Sequence, residues 1–154
     1  MGASKEKLIL GIPTYGRSFT LSSSATTPPN ALFSGAGNAG PILNQGGFLG
    51  YQEICLYLKN DGWTEASTIP KIYIFISIIF FNVHFGWSLQ VDDADIGPYA
   101  YKNNQWVGYD TVNSAKKKAD YIIEKDLGGA MFWETSTDDF NVKYTYSNFQ
   151  QWID

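Results

Sequence analysis

Residues 7 to 21 read KLILGIPTYGRSFTL. Lys7 to Ile12 is a nearly unbroken apolar run, stopped by Pro13. A run of that length without alternation suits a strand buried on both faces, as in a parallel sheet. Residues 127 to 133, LGGAMFW, read the same way near the other end of the chain. Just before them, Val112, Ala115, Ala119, Ile122 and Ile123 share one helical face, and Lys116, Lys117 and Lys118 line the other. Asp110 stands where an N-cap is expected. Helix followed by buried strand is the rhythm of an α/β fold. Two such strands cannot close a parallel sheet, so the pattern is that of part of a larger α/β domain. Two orphan strands would leave apolar faces and unpaired backbone groups open.

The stretch between them has a different texture. Residues 22 to 47 are rich in Ser, Thr, Pro, Gly and Asn and read as a long loop. From Phe48 to Lys59, the residues Tyr51, Ile54, Cys55 and Leu58 recur at helical spacing, and Asn60-Asp61-Gly62 ends the helix. Pro98 to Tyr109 alternates around Asn103-Asn104, a pair that tolerates positive φ and fits a tight hairpin. The Tyr-rich tail to Asp154 reads as a closing helix. Residues 72 to 85, IYIFISIIFFNVHF, resemble nothing around them. Spanning a membrane takes about 20 apolar residues. Widening this run soon meets Pro70, Lys71, Asn82, His84 and Gly86, so no membrane span is expected. Its β-branched and aromatic content predicts an aggregation-prone strand.

Composition narrows the function. A chain of 154 residues with 44% hydrophobic and 17% charged residues is globular and about one domain long. A net charge of −4, with one short lysine run, argues against a nucleic-acid partner. One cysteine excludes an internal disulfide, and one histidine makes a His-based metal site or Ser-His-Asp triad improbable. Neither metal nor cofactor is expected. MGASKEK does not read as a signal peptide. Aromatics reach 16%, which fits either core packing or rings that stack on sugars. The acidic runs Asp92-Asp93-Asp95 and Asp138-Asp139 read as solvated loops rather than paired catalytic carboxylates.

KLILGIPTYGRSFTL resembles the seventh barrel strand and following loop of glycoside hydrolase family 18, the chitinases and chitinase-like lectins. GGFLGYQEIC is similar to that family's insertion-domain segment. PYAYKNNQWVGYD and LGGAMFWETSTDDF are similar to the end of the insert, the last helix and the eighth strand. The matches keep the family's order. The resemblance implies an α/β fold: the last two strands of a TIM (β/α)8 barrel with an α+β insertion domain between them. Residues 1–21 would be strand seven and its loop, 22–109 the insertion domain, and 110–154 the last helix, strand eight and C-terminal segment. Functional residues of such barrels sit at the carboxyl ends of the strands. In the family the GWTE-type segment runs almost directly into the acidic stretch, whereas here residues 66 to 90 intervene. They read as an insertion or as translated intron.

The resemblance also implies roles. Trp133 would form the floor beneath the scissile sugar, and Met131 would pack beside its N-acetyl methyl or fill core. Tyr15 and Arg17 would hydrogen-bond the N-acetylglucosamine chain. Glu53 would contribute a carboxylate to the cleft wall. Trp106 and Tyr109 are expected to pack rather than touch sugar. The partner implied is chitin or a chito-oligosaccharide, and the location implied is extracellular. The family's Asp-x-x-Asp-x-Asp-x-Glu motif, whose glutamate is the general acid of a substrate-assisted reaction, is absent. The chain alone is therefore expected not to hydrolyse chitin. Many relatives pair the cysteine at Cys55 with one after the DDF motif; here no second cysteine follows, so Cys55 is expected to be free or packed.

Overall fold

The structure, a computed structural model, describes residues 2–24, 31–67, 72–74, 89–91 and 97–139. Its strands and helices run β1 (Ile9–Pro13), β2 (Tyr15–Leu21), β3 (Phe33–Ala36), β4 (Phe48–Gly50), α1 (Tyr51–Asn60), β5 (Thr64–Ser67), β6 (Ile72–Ile74), β7 (Leu89–Val91), β8 (Pro98–Lys102), β9 (Gln105–Gly108), α2 (Val112–Lys125) and β10 (Gly129–Trp133). The two apolar runs at the chain's ends find each other. β1 and β10 pair in parallel, from Ile9 opposite Gly129 to Pro13 opposite Trp133. α2 packs against both strands.

These strands are less buried than their sequence implies. Along β1 only Ile12 is fully buried, and along β10 no residue is. Leu8, Ile9, Phe132 and Trp133 are exposed, as is Ile123 on α2. The physical reason is that a strand buried on both faces needs neighbours on both edges and both faces. Among the described residues each strand here has one partner strand, and the pair has one helix. The expected open apolar faces are present.

The main core lies elsewhere. An antiparallel sheet runs β3-β2-β9-β8-β5, with β4 also paired to β2. The hairpin forms where alternation placed it: β8 and β9 flank Asn103-Asn104, and Asn103 adopts φ +54°. One face of the sheet packs under α1, with Leu49, Ile54, Ala100, Val107 and Tyr109 as its core. Tyr109 thus packs as expected. The opposite face carries aromatics: Trp106 contacts both Phe19 and Tyr99, and Tyr99 reaches Tyr101.

Several boundaries differ from the sequence reading. Residues 22 to 47 include β3, an exposed edge strand held by its pairing with β2 rather than by burial. Phe48 to Gly50 is a strand, and helix α1 starts at Tyr51. Thr111, not Asp110, caps α2. Its Oγ1 accepts the Ser114 N–H at 3.2 Å, and Ser114 Oγ accepts the Thr111 N–H at 2.9 Å. Asp110 instead accepts from Ser114 Oγ at 2.8 Å and pairs with Lys118. Asp138 and Asp139 are buried, not solvated, because the loop after β10 turns inward. Of the 72–85 run, β6 is a strand and pairs antiparallel with β7. The remainder of that run, Asp92, Asp93, Asp95 and the tail from residue 140 lie outside the described residues. No helix among the described residues is long and apolar enough to cross a membrane.

Candidate functional site

The parallel pair and the antiparallel sheet meet at Thr14. Its N–H donates to the Trp133 carbonyl at 2.9 Å, and its carbonyl accepts the Tyr51 N–H at 3.0 Å. Thr14 Oγ1 donates to the Glu134 carbonyl at 2.6 Å. Thr137 Oγ1 completes a triangle, 2.8 Å from that carbonyl and 2.9 Å from Thr14 Oγ1. The carboxyl end of β1–β10 is thereby stitched to the start of β2 and α1. Trp133 ends β10 opposite Pro13, and Tyr15 lies two residues beyond Pro13. Met131 shares a face of β10 with Trp133, one pleat back. It lies over Gly11, where an added Cβ would sit 4.0 Å from Met131 Cε.

Tyr15 and Arg17 project from the same face of β2, since alternate residues do. Arg17 is exposed, and no carboxylate among the described residues pairs with it. Its guanidinium carbon lies 5.4 Å from the centre of the Tyr15 ring and 5.2 Å from that of Phe48. Those two rings stack at 4.5 Å. A planar cation held over aromatic faces is pre-organised while its donors stay free. The sequence reading missed Phe48. Its register opposite Arg17 follows only from seeing FLG as a strand rather than as the start of a helix.

Glu53 is placed differently from Tyr15 and Arg17, and the expectation that it reaches a sugar is corrected. Its side chain is completely buried. Oε1 accepts the N–H groups of Ile42 and Leu43 at 2.7 and 2.9 Å, and Oε2 accepts that of Gly50 at 2.9 Å. The last bond is the return half of a capping box at the start of α1. Gly40 leaves the space: a Cβ there would stand 2.3 Å from Glu53 Oε1. The carboxylate folds the 40–43 turn onto α1.

Behind α1 lies a buried polar group. Tyr109 Oη donates to Glu65, and burial, followed by that hydrogen bond, pushes its phenol upward. Burial does the same to Tyr51, with Cys55 next in effect. Burial pushes the Cys55 thiol up to about 12, partly offset by a hydrogen bond with Tyr51. Cys55 is free and buried. Burial also raises Asp138 above its ordinary carboxyl range. None of these groups combines exposure with a reactive charge state. No cluster of His, Cys, Asp and Glu suited to a metal occurs among the described residues.

Comparison with known proteins gives the family of this chain. The family model for glycosyl hydrolases family 18 matches residues 1–138, and the chain belongs to that family. It is 42% identical over 142 residues to human chitinase-3-like protein 2, covering 92% of this chain and 30% of the relative. It is 39% identical over 139 residues to mouse chitotriosidase-1, covering 90% and 24%. The solved structure of human YKL-39, described as a pseudo-chitinase with retained chitooligosaccharide binding properties, matches with a TM-score of 0.71 at 40% identity, covering 93% of this chain and 32% of that one. The chain thus spans less than a third of the length of these relatives. The family's fold is the TIM-barrel chitinase fold.

Proposed function

We propose that this chain carries part of the chito-oligosaccharide cleft of a chitinase and holds no catalytic acid of its own. β1 and β10 act as strands seven and eight of a TIM barrel. Residues 22–109 form its insertion domain, and residues 66–90 are foreign to that domain. Trp133 supplies a flat apolar floor for a pyranose ring, and Met131 packs beside it. Tyr15 and Arg17 hydrogen-bond the chain of sugars, the guanidinium fixed by the rings of Tyr15 and Phe48. The observation that carries this reading is the exposed Arg17 stacked on two rings, four residues past Pro13, whose parallel partner at the end of β10 is the half-exposed Trp133. In the whole parent protein, the substrate's own N-acetyl oxygen would act as nucleophile and a glutamate elsewhere as acid. An extracellular location belongs with this reading.

A second reading is a non-catalytic chitin-binding lectin. The similarity to YKL-39, named as a pseudo-chitinase that binds chitooligosaccharide, favours it. Both readings require this chain to bind sugar without cleaving it. Titration with triacetylchitotriose should give saturable binding. Losing the Trp133 stack costs about 1–2 kcal/mol, so Trp133→Ala should weaken binding roughly five- to thirtyfold. The unfolding temperature should barely move, because the side chain is half exposed. Binding unchanged by Trp133→Ala and Arg17→Ala together would overturn the site. Fluorophore release from a chitotriose glycoside by the pure chain would overturn the claim that it lacks the acid.

A further inference from the structure

Trp133 and Arg17 belong to different sheets. Trp133 ends β10 in the parallel pair, and Arg17 stands in β2 of the antiparallel sheet. No strand ladder joins these two sheets, so strand pairing alone does not fix the indole relative to the guanidinium. A ligand that meets both gains most when their relation is set before it arrives.

The contacts around the Glu134 carbonyl place that task on two threonines. Pro13 stands opposite Trp133 and has no N–H to offer. Thr14 supplies the donors instead. Its N–H takes the Trp133 carbonyl at 2.9 Å, and its hydroxyl takes the next carbonyl, that of Glu134, at 2.6 Å. One residue thus grips two successive carbonyls at the end of β10. Thr137 reaches the Glu134 carbonyl twice, with its N–H at 3.1 Å and its hydroxyl at 2.8 Å. The two hydroxyls lie 2.9 Å apart. Both carbonyls already have main-chain donors, so satisfying the backbone requires neither hydroxyl. From Thr14 the grip passes to the other sheet. Its carbonyl accepts the Tyr51 N–H at 3.0 Å, and its neighbour Tyr15 pairs with Gly50. Gly50 lets the Thr137 main chain come close, since a Cβ there would sit 3.0 Å from the Thr137 carbonyl oxygen. Thr14 and Thr137 are buried, and β-branching restricts their χ1, so the clasp has little play.

We propose that Thr14 and Thr137 are positioning residues of the chito-oligosaccharide cleft, their hydroxyls closing on the Glu134 carbonyl to set Trp133 relative to Arg17 so that one oligosaccharide meets both. This rests on the reading of Trp133 and Arg17 as sugar contacts. A single sugar stacked on Trp133 is indifferent to where Arg17 lies. A longer ligand gains the second contact only while the two stay in register. The preference for a longer chain over a single sugar is therefore what the clasp controls.

The test titrates the whole chain with N-acetylglucosamine and with triacetylchitotriose, following the Trp133 indole N–H by NMR. Thr14→Val and Thr137→Val keep the side-chain shape and remove the hydroxyl. Each should weaken chitotriose binding roughly tenfold, the worth of one charge-assisted hydrogen bond. Each should leave N-acetylglucosamine binding unchanged. Thr14→Ser and Thr137→Ser keep the hydroxyl and should bind chitotriose nearly as the wild type does. Should only one valine variant fold, that one carries the comparison. Unchanged chitotriose affinity in the valine variants overturns the proposal. So does equal weakening of both sugars, or failure of both valine variants to fold, since the hydroxyls would then serve the fold as a whole. Serine variants as impaired as the valine ones also overturn it. No chitotriose binding by the wild-type chain overturns the cleft and the clasp together. Wild-type binding that Trp133→Ala and Arg17→Ala weaken, but the valine variants do not, overturns the clasp alone.

Discussion

Glutamine in place of Glu53 separates the two roles that a glutamate at this position can have. The native carboxylate takes three backbone N–H groups, two on Oε1 and one on Oε2. Glutamine has the same shape but one acceptor oxygen. If that oxygen keeps Ile42 and Leu43, its NH2 group meets the Gly50 N–H, donor against donor. The flipped amide orphans two N–H groups instead. At least one buried donor therefore loses its partner, at about 1–3 kcal/mol. The surviving bonds also lose their charge, about 0.5–1 kcal/mol each. Glu53 is 0% exposed, so water cannot replace what is lost. The sum is about 2–5 kcal/mol, which lowers Tm by roughly 4–20 °C for a chain of this size. The assay is thermal and urea unfolding followed by tryptophan fluorescence, with the denaturant slope checked for constancy. A Glu53→Gln chain as stable as wild type would refute the clamp. If that variant also lost chitotriose binding, the direct sugar role would be restored.

Two further outcomes follow from the buried group behind α1. Burial pushes the Cys55 thiol up to about 12, leaving a thiolate fraction of roughly 10⁻⁴ at pH 8. Iodoacetamide should label Cys55 roughly a thousandfold more slowly in native buffer than in urea. Rapid stoichiometric labelling of the native chain would refute the burial. The phenols of Tyr51 and Tyr109 are raised above their ordinary value of 10.0. Their contribution to stability is therefore full below pH 10 and is lost as pH climbs above it. Stability should fall by up to about 1.4 kcal/mol per phenol per pH unit. Tyrosinate absorbance should then show two phenols that ionise only on unfolding. Ionisation of both before the unfolding transition would contradict this.

What the sequence disclosed and what it hid divide along a physical line. KLILGI and LGGAMFW announce themselves as partners because a strand destined for a parallel sheet is apolar on both faces, and that signal is local. Asn103-Asn104 marks its hairpin for the same reason, since positive φ is a property of one residue in one turn. Glu53, Asp138 and Asp139 were misread because burial of a polar group is decided by what packs over it. The turn at 40–43 that covers Glu53 and the inward turn of the loop after β10 that carries the two aspartates have no periodicity to betray them. Phe48 was missed because its partners, Tyr15 and Arg17, lie some thirty residues away, and only strand register joins them. A motif match finds residues that touch a ligand in relatives. It does not say which of them is free to do so in this chain. Arg17 lies over two rings, and among the described residues no carboxylate pairs with its guanidinium. Glu53 is not free, because three main-chain donors already occupy it. The same carboxylate that looked like a cleft wall instead holds the 40–43 turn and the start of α1 in place.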